Sequence, residues 1–263
     1  METTRPGEEK KPDAAELPFV APCRRLEPRA PLRWLSRGWQ DFRRTPRQSL
    51  GYGLVMVLLS YLISFLALEF GNLFFLLGLI SGFVFMGPVI AIGLYSISCQ
   101  LQRGMTPRLG YCLREGKRHL GNEMIFAFIL VIVLLIWARA ASMVHVFFPV
   151  HTDPSLEELV IYLGIGTAVG AIFSAIIFCI SAFSLPMIMD RKADMVTAVI
   201  TSVNAVLRNK LTMFLWAGII GFTVLVGLMT AFLGFAVLLP VLGYATWHAY
   251  QDTIDASAWP MQD

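Results

Sequence analysis

The chain is short of charge and of histidine and has no paired cysteines, and each shortage removes a class of protein. Charged residues fill only 15% of 263 positions, against about 25% in an ordinary soluble domain, so water is not the principal solvent. The four cysteines, Cys23, Cys99, Cys112 and Cys179, form no CxxC pair, which argues against a disulfide framework or a zinc site. HExxH, GxSxG, Walker glycine-loop and paired-aspartate motifs are all missing. Enzyme chemistry therefore has no residues to rest on, and the chain reads as a non-enzyme without catalytic residue, cofactor or metal site. The first 47 residues hold no apolar stretch of signal-peptide length, so the first span is expected to serve as the targeting signal and to stay.

What is present is hydrophobic sequence, 56% of the chain. Uncharged runs cover Gln48 to Leu68, Phe70 to Gln102, Leu159 to Met189 and Leu211 to Gln251. A bilayer crossing takes roughly 20 apolar residues at about 1.5 Å each, so every run can cross, and the last is long enough to cross twice. The expected fold is all-α: a polytopic six-helix transmembrane bundle with amphipathic helices on its cytoplasmic face. Its spans are placed at about 48–69, 72–101, 123–147, 158–189, 211–229 and 231–250, with the final turn between Gly227 and Gly234. Flanking this membrane domain of residues 29–251 are a disordered tail, 1–28, too polar to offset chain entropy, and a short C-terminal tail, 252–263. The pattern Ser155-Leu156-Glu157-Glu158 reads as a capping box opening the fourth span.

Two stretches look amphipathic. Between Pro31 and Thr45 the apolar stripe is Leu32, Leu35, Trp39 and Phe42, with arginines off it; after Asp190 the stripe is Val196, Val199, Val203 and Val206. Arg33, Arg37, Arg43 and Arg44 are expected to contact lipid headgroups or to act simply as a positive-inside anchor. Eleven Lys and Arg precede Gln48, five follow the second span and four follow the fourth, while Arg139 alone lies towards the other face. That asymmetry places both termini in the cytoplasm.

One module recurs three times: a surface helix, a polar junction, an apolar helix, a tight turn and a returning helix with a proline. The junctions are Phe42-Arg43-Arg44-Thr45-Pro46, Leu113-Arg114-Glu115-Gly116-Lys117-Arg118 and Val206-Leu207-Arg208-Asn209-Lys210, and the prolines are Pro88, Pro186 and Pro240. This is a threefold repeat of helix hairpins, whose prolines either set helix curvature or line a central pathway with Ser81, Ser184 and Thr246 as polar contacts. Glu69 and Arg139 near the outer interface are expected as a snorkelling pair or an outer gate, and Asp190 as part of a charged collar or an inner gate. Gly78 with Gly82, Gly166 with Gly170 and Ala217 with Gly221 are spaced for close helix packing.

The strings Pro31-Leu32-Arg33-Trp34-Leu35-Ser36-Arg37-Gly38-Trp39, Gly87-Pro88-Val89-Ile90-Ala91-Ile92-Gly93-Leu94-Tyr95, Ser184-Leu185-Pro186-Met187-Ile188-Met189-Asp190-Arg191 and Gly243-Tyr244-Ala245-Thr246-Trp247-His248-Ala249-Tyr250 together resemble a bacterial family of predicted integral membrane proteins, domain of unknown function 2189. The resemblance covers about residues 24 to 251 and implies a bacterial inner (plasma) membrane location, with no established activity. Some members carry a label as relatives of cytochrome c oxidase subunit I. A haem site needs histidines converging on one iron, whereas the four here are scattered as His119, His145, His151 and His248, so that label is rejected. The expected role is structural or accessory, with a small-solute or ion transporter as the alternative. The expected partners are the lipid bilayer and another membrane protein or a respiratory complex; nucleic acid is not among them.

Overall fold

A computed structural model describes residues 18–70, 90–107, 120–147 and 155–261. Among these residues the chain is helical apart from short connections, with two isolated β-bridges, Cys23 to Ile254 and Arg191 to Met261. The helices are α1 (Ala30–Arg44), α2 (Pro46–Phe70), α3 (Leu120–Phe147), α4 (Leu156–Ser181), α5 (Ser184–Asp190), α6 (Met195–Arg208), α7 (Lys210–Met229) and α8 (Phe235–Thr253); residues 90–102 form a further helical segment. Four stretches are long and apolar enough to cross a bilayer: Pro46–Glu69, Met124–Val144, Leu156–Asp190 and Lys210–Met229. Of the expected second span only residues 90–101 are described, and Pro88, Gly78, Gly82, Ser81 and Cys112 lie outside the described residues. The expected sixth span coincides with α8, which falls short of the other four because Tyr244, His248, Tyr250, Gln251 and Asp252 make its second half polar.

Local chemistry explains the helix boundaries. The capping box opens α4 as expected: the Ser155 hydroxyl accepts from the Glu158 N–H at 3.2 Å, and the Glu158 carboxylate accepts from the Ser155 N–H at 3.0 Å. Asp194 caps α6 by accepting from the Thr197 N–H at 3.0 Å. Between α7 and α8 the chain reverses over residues 230–234, where Ala231 and Phe232 both take positive φ, 48° and 68°. Tyr61 stabilises this strained turn, donating to the Ala231 carbonyl at 2.6 Å with its ring edge-on to Phe232.

Pro186 does not kink a continuous span as expected. The fourth span breaks at Ala182–Phe183, and Pro186 sits buried in the first turn of the separate helix α5, where a missing N–H costs nothing. Ser202 of α6 mends the break: its hydroxyl donates to the Cys179 carbonyl at 2.8 Å and accepts from the Phe183 N–H at 3.1 Å.

Pro240 does lie inside its helix, so the Ala236 carbonyl, four residues earlier, loses its donor. That carbonyl faces Gly53 of α2 so closely that a Cβ added at Gly53 would lie 1.9 Å from the oxygen. The kink is thus filled by the backbone of α2, a contact that only glycine permits. Gly38 does the same for α1, since a Cβ there would meet the Val241 carbonyl at 2.6 Å.

These close approaches fix which side of α1 faces the bundle. Its inward face is Ala30, Pro31, Trp34, Gly38, Asp41 and Phe42, while Leu32 and Trp39 remain 64% and 46% exposed. In α6, too, Met195, Ala198, Ser202 and Ala205 point inward and Val196 is exposed. The two helices nonetheless agree with each other. Aligned on the junctions Thr45 and Asn209, Pro31, Trp34, Gly38, Asp41 and Phe42 pair with Met195, Ala198, Ser202, Ala205 and Val206, and all are buried. The junctions themselves have nearly equal backbone angles, φ −130° and ψ 54° at Thr45 against φ −122° and ψ 42° at Asn209.

Among the described residues, no helix packs on the small-residue pairs of α4 and α7: a Cβ at Gly166, Gly170 or Gly221 would meet nothing within 4 Å. Residues 18–28 differ from the disordered tail expected there. Ala21 and Cys23 are buried; the Ala21 N–H donates to the Thr201 hydroxyl, the Arg24 N–H to the Thr253 carbonyl and the Leu26 N–H to the Asn209 side chain. The C-terminal stretch is tied down as well, with Ile254 and Trp259 buried and Pro260 accepting from the Lys192 N–H.

Candidate functional site

Among the described residues, a row of polar side chains occupies the second half of α8. Tyr244, His248 and Asp252 recur every fourth residue, one face of a helix, and that face lies against α1 and the start of α2. The Tyr244 hydroxyl pairs with the Ser49 hydroxyl at 2.8 Å, and His248 Nε2 with Asp41 Oδ2 at 2.8 Å. Asp252 accepts from the Trp34 indole at 3.0 Å and from Arg37 at 2.9 Å.

At the centre of this seam, the Asp41 and His248 side chains are only 6% and 8% exposed. Asp41 Oδ2 also accepts from the Ser98 hydroxyl at 2.7 Å, so one carboxylate oxygen joins α1, α8 and segment 90–102. The orientation of His248 follows from its neighbours. The Trp247 indole can only donate, and it does so to Gln102 Oε1 at 3.2 Å. Gln102 therefore turns its amide nitrogen towards His248 Nδ1, also at 3.2 Å. Nδ1 accepts there, which leaves the hydrogen on Nε2, pointing at Asp41. Ser98 donates to the acid rather than to the imidazole, so the three do not form the nucleophile–base–acid order of a hydrolase triad.

Asp190, singled out from the sequence, sits beside this seam. Its carboxylate accepts from the Tyr250 hydroxyl at 2.9 Å and from Arg191 at 3.0 Å, and Arg191 also donates to the Trp259 carbonyl. A polar cavity of about 190 Å³ opens next to it, lined by Arg24, Asp190, Arg191, Tyr250, Asp255 and Ser257. Hydrogen bonds from Ser257, helped by Arg24 and Arg191, hold the Asp255 carboxyl below the ordinary carboxylate range. Burial pushes the Cys23 thiol up, against the opposing pull of Asn204 and Arg208. At Asp194 burial also acts upward, but the hydrogen bonds from Thr197 prevail and hold this carboxyl low.

The remaining expected site residues are dispersed. Glu69 and Arg139 are both exposed, and among the described residues neither has a hydrogen-bond or ion-pair partner, so they do not form the expected pair. Ser184 and Thr246 turn their hydroxyls back onto helix carbonyls, Ser184 to Ile180 and Thr246 to Leu242. Arg33 and Arg37 are spent on Glu27 and Asp252, whereas Arg43 and Arg44 are exposed. Among the described residues no cluster of three or more His, Cys, Asp or Glu has metal-ligand placement.

Sequence reasoning missed the Asp41–His248 pair, which is separated by 207 positions. One signal was available: the i, i+4, i+8 spacing of Tyr244, His248 and Asp252 in an otherwise apolar helix.

Residues 74–190 match the family model described as predicted integral membrane protein (DUF2189). The resemblance read from the sequence is thereby confirmed over that segment. No curated protein and no solved structure matches the chain.

Proposed function

We propose that this chain is a non-enzymatic accessory protein of the bacterial inner membrane, crossing it six times with both termini in the cytoplasm. The observation that carries the reading is the α8 seam: Tyr244, His248 and Asp252 spend their polar atoms on Ser49, Asp41, Trp34 and Arg37, fastening surface helix α1 to the bundle. Such a seam fixes the relation between a cytoplasmic layer and the spans, as a scaffold requires. The matched surface helices α1 and α6, with their near-identical junctions, support two of the three proposed hairpin repeats. The gathering of Arg24, Arg191 and Arg208 around Cys23 and Asp255, at the ends of α5 and α6, supports a cytoplasmic assignment for that end.

The partner is expected to be another membrane protein or a respiratory complex, held against the lipid-facing helices; α4, which has no buried residue, offers such a surface. Affinity purification of the full chain in mild detergent, followed by mass spectrometry, should recover a stoichiometric membrane partner. A protein that runs alone under these conditions refutes the accessory role. A reporter fused after Pro149 should read as external, and an internal reading refutes the topology.

A second reading, small-solute or ion transport, is favoured by His248, which is buried against Asp41 of α1 and sits in the same helix as Pro240, since buried ionisable groups in spanning helices often mark transport pathways. Uptake into sealed vesicles that Pro186→Ala or His248→Asn abolishes at unchanged protein level would establish it.

A further inference from the structure

We infer that the corner between α1 and α2 is a binding site for anionic phospholipid headgroups, built from Arg43, Arg44 and Arg47 with Trp39 beside them. The inference rests on the membrane-spanning character of α2 and is independent of the accessory role and of the orientation proposed above.

The structure divides the arginines of this region into two sets. Arg33 donates to Glu27 at 2.7 Å and Arg37 to Asp252 at 2.9 Å, so their charge is matched within the chain. Arg43 and Arg44 in the last turn of α1 and Arg47 in the first turn of α2 are exposed, and none has an acidic partner among the described residues. The one acid nearby on α1, Asp41, is buried against His248 and Ser98 and turned away from them. Three unmatched positive charges thus crowd the point where the chain enters its first span.

The depth of that point follows from α2. Arg47 shares a helix face with Leu50, Leu54, Leu58 and Phe65, each of them exposed, at spacings that stack residues on one side of a helix. Exposed leucines on a spanning helix face hydrocarbon, and Arg47 precedes the first of them by one turn, about 5 Å. It therefore lies at headgroup level. Trp39, 46% exposed and stacked on Phe42 at 5.4 Å, presents the amphipathic ring that favours the same layer. Phosphate oxygens suit guanidinium forks, and lipid is the source that this depth supplies.

The test compares full-length protein in lipid nanodiscs containing phosphatidylcholine with varied phosphatidylglycerol, reading retained lipid by native mass spectrometry. The wild-type chain should retain phosphatidylglycerol preferentially, and the preference should shrink as salt rises. Substituting Arg43→Gln, Arg44→Gln and Arg47→Gln together should weaken retention by roughly fivefold per arginine, while Arg33→Gln, at the exposed pair with Glu27, should leave it within about twofold. The salt series needs no substitution, so misfolding of the triple variant leaves the inference open to refutation. Salt-insensitive retention, an unaffected triple variant, an equal loss in the Arg33→Gln variant, or displacement by millimolar inorganic phosphate would each overturn it.

Discussion

Removing His248 should expose how much the α8 seam contributes. In His248→Ala the Asp41 carboxylate keeps the Ser98 hydroxyl at 2.7 Å but loses the imidazole donor at 2.8 Å, inside a site where it is only 6% exposed. Breaking a buried pair from one side costs about 3–5 kcal/mol, because the remaining group stays desolvated and unmatched. Asp41→Ala should cost a similar amount, since it strips the acceptor from both Ser98 and His248. The double variant removes the group that either single variant strands, so its cost should fall below the sum by about 2 kcal/mol or more. The assay is reversible unfolding of purified protein in mixed micelles by rising dodecyl sulfate, followed by tryptophan fluorescence; Trp34 and Trp247 both border the seam. Single costs under about 1 kcal/mol, or additivity within about 0.5 kcal/mol, would show that the pair does not hold the helices together.

Gly53→Ala should separate α2 from α8, because its Cβ would fall 1.9 Å from the Ala236 carbonyl; the expected loss is about 1–3 kcal/mol or more in the same unfolding assay. Ala231→Gly relieves one positive-φ residue in the α7–α8 turn and should stabilise the protein by up to about 1 kcal/mol, read as a higher melting temperature. Asp194→Ala removes the α6 cap at a cost of about 1 kcal/mol at neutral pH. The Asp194 carboxyl is held below its ordinary value in the fold, so its contribution is complete above the unfolded value of about 3.9 and is lost as pH falls through the lower folded value. Melts of wild type and variant should therefore converge in strong acid and stay apart at pH 7.

Span composition was legible in the sequence, because lipid solvation is written in composition: the uncharged runs at Gln48, Leu159 and Leu211 became α2, α4 with α5, and α7. The capping box at Ser155 was equally plain, since its partners lie three residues apart. The inward faces of the surface helices were not legible, because the interior wanted small and polar groups rather than an apolar stripe: Gly38 to admit a backbone, Asp41 to meet His248, and Ser202 to mend the α4–α5 break. Leu32 and Trp39 stay outside because a bilayer surface accepts apolar side chains that water would drive inward. Pro186 was ambiguous in the sequence: proline marks a helix start as readily as a kink, and only the interruption of the helix at Ala182–Phe183 distinguishes them.

The bonds from residues 21–26 to Thr201, Asn209, Thr253 and Asp255 impose an order on biosynthesis. This segment emerges from the ribosome long before any of its anchors exist, and it must wait unpaired while the intervening spans are threaded into the bilayer. Closure of this clasp is a late event, completed only once residues 253–260 have cleared the exit tunnel, so a stalled or truncated nascent chain would carry its helices inserted yet residues 21–26 loose and open to proteases.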